Sequence, residues 1–167
     1  ITTDYVSAKM FLNSISTESV PVQGTAMGEA INTAMRSFSA QSEKSRAIIV
    51  ITDGENHEGG AVEAAQAAAE KGYMVYVLGV GLPSGSPIPG DRKGGFRKDK
   101  DGNVVVTRLN EEMCRNIAAA GKGVYFYVDN SNAAEKALRK EMDKLAKADI
   151  ETTVYTEYDE QFAIIAW

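Results

Sequence analysis

A chain of 167 residues fits one domain of ordinary size and is long enough to bury a substantial core. Its apolar fraction of 44% and charged fraction of 25% exclude a disordered chain. A net charge of −5 with no basic stripe argues against a nucleic-acid partner, and Cys114, the only cysteine, excludes an intrachain disulfide.

Asp4 can cap a first helix running to about Ile15, with Val6, Met10, Phe11 and Ile15 on its buried side. Residues 16–24 read as a loop broken by Pro21. Thr25 then stands at the N-cap of an amphipathic helix whose core stripe is Met27, Ala30, Ile31, Ala34, Met35 and Phe38. Three continuous apolar runs follow: residues 47–51, 73–80 and 124–128. Such runs mark strands of a parallel sheet covered by helices on both faces. The connections supply those helices: Gly60 to Lys71 with a stop at Gly72, and Asn110 to Ala120 capped by Asn110 and stopped by Gly121. The pattern is that of right-handed βαβ units in a three-layer, doubly wound α/β fold.

Residues 82–108 are too long for a plain connection. Asp101-Gly102 ahead of Val104-Val105-Val106 signals a β-hairpin inserted near 95–107. Arg92, Lys93, Arg97, Lys98 and Lys100 are interleaved there with Asp91, Asp99 and Asp101, as in a solvated loop. Asp99, Asp101 and Asn103 lack the distal glutamate of a calcium loop and read as turn formers. Ser131 can cap a last helix to about Lys147, with Ala134, Leu138, Met142 and Leu145 facing inward. Ile150 to Tyr158 alternates enough to be a strand or an extended tail. Neither end carries a signal peptide, and the six apolar residues from Phe162 to Trp167 are too few to span a bilayer. The chain reads as a piece cut from a longer protein.

In open parallel sheets ligands gather beyond the carboxyl ends of the strands. The first strand delivers Asp53 there, followed by Gly54, Glu55, Asn56 and His57, and the start of the Thr25 helix can crowd the same rim. A threonine hydroxyl and a carboxylate are hard oxygen donors, suited to Mg²⁺, Mn²⁺ or Ca²⁺ rather than to a thiolate-loving metal. Gly24 and Gly54 would let the backbone approach closely. His57, the single histidine, has no second histidine or cysteine beside it for zinc and no triad partners.

Gly24-Thr25-Ala26-Met27-Gly28-Glu29-Ala30-Ile31, followed by Ile48-Ile49-Val50-Ile51-Thr52-Asp53-Gly54-Glu55, resembles the von Willebrand factor type A (vWA) family. The two stretches match two of the three segments of that family's metal-ion-dependent adhesion site. The first helix, the insertion after Gly81 and the stretch from Tyr155 to Phe162 look like the bacterial BatA/BatB subgroup, membrane-anchored proteins of aerotolerance operons encoded beside a MoxR-type AAA+ ATPase. The resemblance implies that Thr25 and Asp53 contact a divalent cation, Mg²⁺ before Mn²⁺ or Ca²⁺, with Gly24, Gly54, Glu55 and His57 on the rim that meets a partner. The family's remaining ligands come from an Asp-x-Ser-x-Ser segment, which this sequence does not contain. The chain therefore reads as a single vWA-like domain, 1–167, incomplete at its N-terminus, whose ion site can stand empty.

The function implied is a non-enzymatic protein-interaction module that takes a partner carboxylate on the cation. Its partner would be a second vWA-type Bat protein or a MoxR-type AAA+ system, and its place extracytoplasmic. Membrane contact would come only through segments outside this chain. A metal-free scaffold is the alternative. A metal-dependent, phosphatase-like hydrolase would want Asp-x-Asp where the sequence has Asp53-Gly54-Glu55, and no nucleophile elbow is present either.

Overall fold

The computed structural model describes residues 4–16, 19, 24–38, 45–56, 58–90 and 95–156, with side-chain surroundings as far as residue 147. In chain order the elements are α1 (Tyr5–Ser14), α2 (Met27–Ser37), β1 (Arg46–Thr52), α3 (Ala61–Glu70), β2 (Tyr73–Val80), β3 (Ser86–Pro87), β4 (Val106–Thr107), α4 (Glu111–Ala120), β5 (Lys122–Val128) and α5 (Ala133–Thr156). The three long strands form a parallel sheet in the order β1-β2-β5. Ile48 faces Val75 and Val50 faces Val77 across one boundary, and Leu78 faces Phe126 across the other. The expected α/β fold, a parallel sheet with helices packed against it, is what forms.

The central strand shows why the apolar runs behave as they do. Val75 and Val77 point into a cluster with Ile31, Ala65, Ala68 and Ile117, contributed by α2, α3 and α4. Tyr76, also buried, points to the opposite face, where Glu141 of α5 is close enough to act on its hydroxyl. Burying side chains of this size contributes about 1.5–3 kcal/mol each. The small residues matter as much as the large ones. A Cβ on Gly28 would stand 2.8 Å from the Gly60 carbonyl oxygen, and one on Gly123 would overlap the Val75 carbonyl. α2 meets the start of α3, and β5 meets β2, at separations that leave no room for a methyl group.

Several local expectations hold. Asp4 caps α1 through the Val6 amide (2.9 Å), and Asn110 caps α4 through the Met113 amide (3.1 Å). The Ser131 cap is shifted by one residue: α5 starts at Ala133, with the Asn132 carbonyl accepting from the Lys136 amide (3.1 Å). The Ser131 hydroxyl accepts from the Ala133 amide (3.2 Å) in the turn before it, while the Asp129 carboxylate accepts from both the amide and the hydroxyl of Ser131.

Others are corrected. α2 begins one residue later than expected: its N-cap is Ala26, with no side-chain cap, so Thr25 lies just outside the helix. The apolar face of α1 is not buried, with Val6, Met10 and Phe11 each about 70% exposed and Ile15 exposed as well. Periodicity shows that a helix has an apolar side; it does not supply a surface to cover it. β1 is buried on one face only, since Ile51 is 68% exposed and Ile49 is exposed too. Residues 150–156 continue α5 instead of forming a strand or extended tail. Its β-branched residues there follow a helical stretch with no glycine or proline to stop it. Residues 157–167 lie outside the described residues.

The insertion before α4 is larger than a hairpin. The expected turn is present, with the Asp99 carboxylate accepting from the amides of Asp101 (2.9 Å) and Asn103 (2.8 Å). A third segment joins it: the Ile88 amide donates to the Val105 carbonyl (3.0 Å), the Arg97 amide to the Ile88 carbonyl (2.8 Å) and the Val105 amide to the Arg97 carbonyl (2.9 Å). Three short extended segments thus close on one another around Ile88. We call residues 82–108 the arm.

Candidate functional site

β1 ends in two residues whose side chains fold back onto the chain ahead of them. The Thr52 hydroxyl accepts from the Gly54 amide (3.0 Å), and Asp53 Oδ1 accepts from the Glu55 amide (3.1 Å). The Asp53 carbonyl also accepts from the Asn110 amide (2.8 Å), which fixes the end of β1 to the cap of α4. Gly54 makes this turn affordable sterically. Its φ is +79°, and a Cβ there would fall 2.5 Å from the Asn110 carbonyl oxygen and 3.0 Å from Cys114 Sγ. At Gly54 the turn thus lies tight against the start of α4. At Gly24, which is exposed, nothing lies within 4 Å of where a Cβ would be.

The start of α2 lies beside this turn, because the Thr52 hydroxyl donates to Met27 Sδ (3.4 Å). The two segments singled out in the sequence are therefore neighbours at one rim. Among the described residues no hydrogen bond joins the half-buried Thr25 to Asp53 itself. His57 lies outside the described residues. One contact was invisible in the sequence: Thr107, at the base of the arm, points its hydroxyl at both Asp53 Oδ2 (3.4 Å) and Glu55 Oε1 (3.2 Å). More than fifty residues separate the partners, so no local pattern signals it.

Beneath the turn lies the fully buried Cys114. Burial pushes its thiol from 9.0 up to about 11, and the nearby Asp53 and Glu111 carboxylates add to the shift. It stays a neutral thiol at physiological pH and offers no thiolate to a metal. Asp53, Glu55, Thr25 and Thr107 are all oxygen donors, which fit a hard cation in kind. They supply only part of a shell: among the described residues no group of three or more His, Cys, Asp or Glu side chains could hold a metal ion.

The fold and this rim define a class, a parallel α/β domain with oxygen-donor side chains gathered at the carboxyl ends of its strands. The chain belongs to the von Willebrand factor type A domain family, whose model matches residues 2–141. It is 64% identical to the conserved hypothetical protein BatB from Bacteroides thetaiotaomicron, over 87% of this chain and 71% of that one, with a TM-score of 0.84. It is 60% identical to an aerotolerance-related membrane protein from Bacteroides fragilis, in a variant with multiple mutations to serines, over 86% and 71% of the two chains, with a TM-score of 0.81. No curated protein matches. No helix among the described residues is long and apolar enough to cross a membrane.

Proposed function

We propose that this domain is a non-enzymatic interaction module in which Asp53 and Thr25 help hold a divalent cation, Mg²⁺ before Mn²⁺ or Ca²⁺, that takes a carboxylate from a partner protein. The observation that carries the reading is the meeting of the α2 start and the β1 end at one rim, through Thr52 and Met27, with Asp53 presented there. When bound, a partly coordinated dication supplies a strong, directional attraction for an acidic side chain. Asp53 would be the charged donor, Thr25 a neutral one, and Glu55 and Gly54 would border the face met by the partner. Waters and oxygens from outside these residues would complete the shell. Similarity to an aerotolerance-related membrane protein supports a place on a membrane-associated protein; the extracytoplasmic side, and a second vWA-type Bat protein or a MoxR-type AAA+ system as partner, belong to this proposal.

The test is a titration of the full-length protein with Mn²⁺, followed by calorimetry or paramagnetic relaxation. Native protein should bind, Thr25→Ala should bind more weakly, and Asp53→Ala should not bind. Equal binding by native protein and Asp53→Ala would defeat the metal reading. The alternative is a metal-free scaffold. It predicts partner binding that EDTA leaves unchanged.

A further inference from the structure

The arm is where the electrostatics of the chain reverse. Residues 82–108 hold six of the 18 Lys and Arg residues but three of the 23 Asp and Glu, a net +3 against −8 for the remainder. Arg97, Lys98 and Lys100 are exposed, and no ion pair engages any of them among the described residues. Of the two described carboxylates beside them, Asp99 is engaged by the amides of the turn, and Asp101 is exposed without an ion pair to any of the three. Phe96, Val104 and Val106 stand exposed among the cations, at 54%, 42% and 48%. The arm is also continuous with the rim. β4 ends at Thr107, whose hydroxyl faces Asp53 and Glu55, and Lys98 pairs with Val104 three residues further up. At about 3.3 Å per residue, Lys98 sits about 10 Å from the rim, the reach of about three residues of extended peptide.

We propose that residues 95–107 of the arm form the partner-reading surface of the domain and bind an extended acidic segment of a partner protein. This rests on the carboxylate-capturing role of the rim described above and adds to it. One partner carboxylate goes to the rim, its neighbours pair with Arg97, Lys98 and Lys100, and apolar groups of the segment cover Phe96 and Val104. The net −8 of the remaining chain repels such a segment elsewhere, so charge directs it to the arm. Thr107 is the positioning residue that ties the arm to the rim.

The experiment measures fluorescence anisotropy of a labelled Gly-Glu-Glu-Asp-Glu-Glu-Gly peptide and its Gln/Asn counterpart, with the full-length protein and Mn²⁺. Native protein should bind the acidic peptide and not the neutral one. Combining Arg97→Gln, Lys98→Gln and Lys100→Gln should weaken binding about tenfold at low salt, a gap that closes at high salt, and leave Mn²⁺ affinity unchanged. Thr107→Val should weaken the peptide less than the triple variant does. Acidic-peptide binding that is absent, or that is the same in the triple variant, overturns the proposal. So does arm-dependent binding to phosphatidylcholine–phosphatidylserine vesicles without any to the peptide, which assigns the arm to a lipid surface. If Asp53→Ala abolishes neither Mn²⁺ nor peptide binding while the triple variant loses the peptide, the cation reading fails and the arm stands.

Discussion

The sheet layer and the arm are held together in different ways. Around β2, stability comes from side chains and from the glycines that let elements approach: Val75, Val77, Ile31 and Ile117 are all but fully buried, and Gly123 lies against the backbone of Val75. Among the described residues of the arm none is buried, and backbone hydrogen bonds, those around Ile88 among them, close it instead. Substitutions should therefore act by volume in one region and by backbone geometry in the other.

The largest effect should come from the sheet. Gly123→Ala drives a methyl group into the Val75 carbonyl, and the backbone must move. The expected loss is about 3 kcal/mol, visible as a lower urea midpoint of unfolding. A loss under about 1 kcal/mol would mean that β5 and β2 can separate freely.

Next comes alkaline pH. The Cys114 thiol is held neutral in the fold, so the unfolded chain releases its proton first as pH rises. Stability from this group is complete below pH 9 and falls between 9.0 and about 11, by about 2–3 kcal/mol in all. Burial raises the phenols of Tyr76 and Tyr125 as well, which extends the loss above 10.0. Cys114→Ala should flatten the first part of the curve, even though it lowers stability at neutral pH. An unchanged slope in thermal melts across that range would refute the burial argument.

A smaller effect belongs to the arm. Gly102 has a φ of +87°, which an alanine tolerates poorly. Gly102→Ala should cost about 1 kcal/mol locally, read as faster amide exchange at Val105 with little change in the global midpoint. If the global midpoint falls equally, the arm unfolds with the sheet and the contrast between the regions disappears. Smallest, and of opposite sign, is Tyr125→Phe. The Tyr125 hydroxyl is buried against Gly79 with no hydrogen-bond partner among the described residues. Its removal should leave stability unchanged or raise it by up to about 1 kcal/mol in chemical denaturation.

The same division governs what could be read from the residues. The parallel strands were legible because an apolar run with a glycine-stopped helix on either side has few other uses, and Tyr73 to Val80 matches β2 at both ends. The address of Asp53 followed from β1, which ends at Thr52 directly before it. The arm's third segment was not legible, since Pro87 and Pro89 argue against a strand, yet their missing amides leave the Ile88 amide and carbonyl free to pair. Thr25 was placed as a cap because threonine commonly caps, whereas α2 starts one residue later without one. The contact of Thr107 with Asp53 and Glu55 depends on how the arm folds back, and residue spacing along the chain carries no record of that.

The arm leaves and re-enters the domain at one point: the Leu109 amide donates to the Leu82 carbonyl (3.2 Å), and the Gly85 amide donates to the same carbonyl (2.9 Å). Residues 83–108 are in this sense a cassette plugged into a single socket. Because closing a longer loop adds entropy only logarithmically, such a cassette can grow, shrink or be exchanged with little penalty to the layer beneath it. Grafting arms of different charge between homologous domains would then alter the choice of partner while the socket, and the carboxylate beside it, stay as they are.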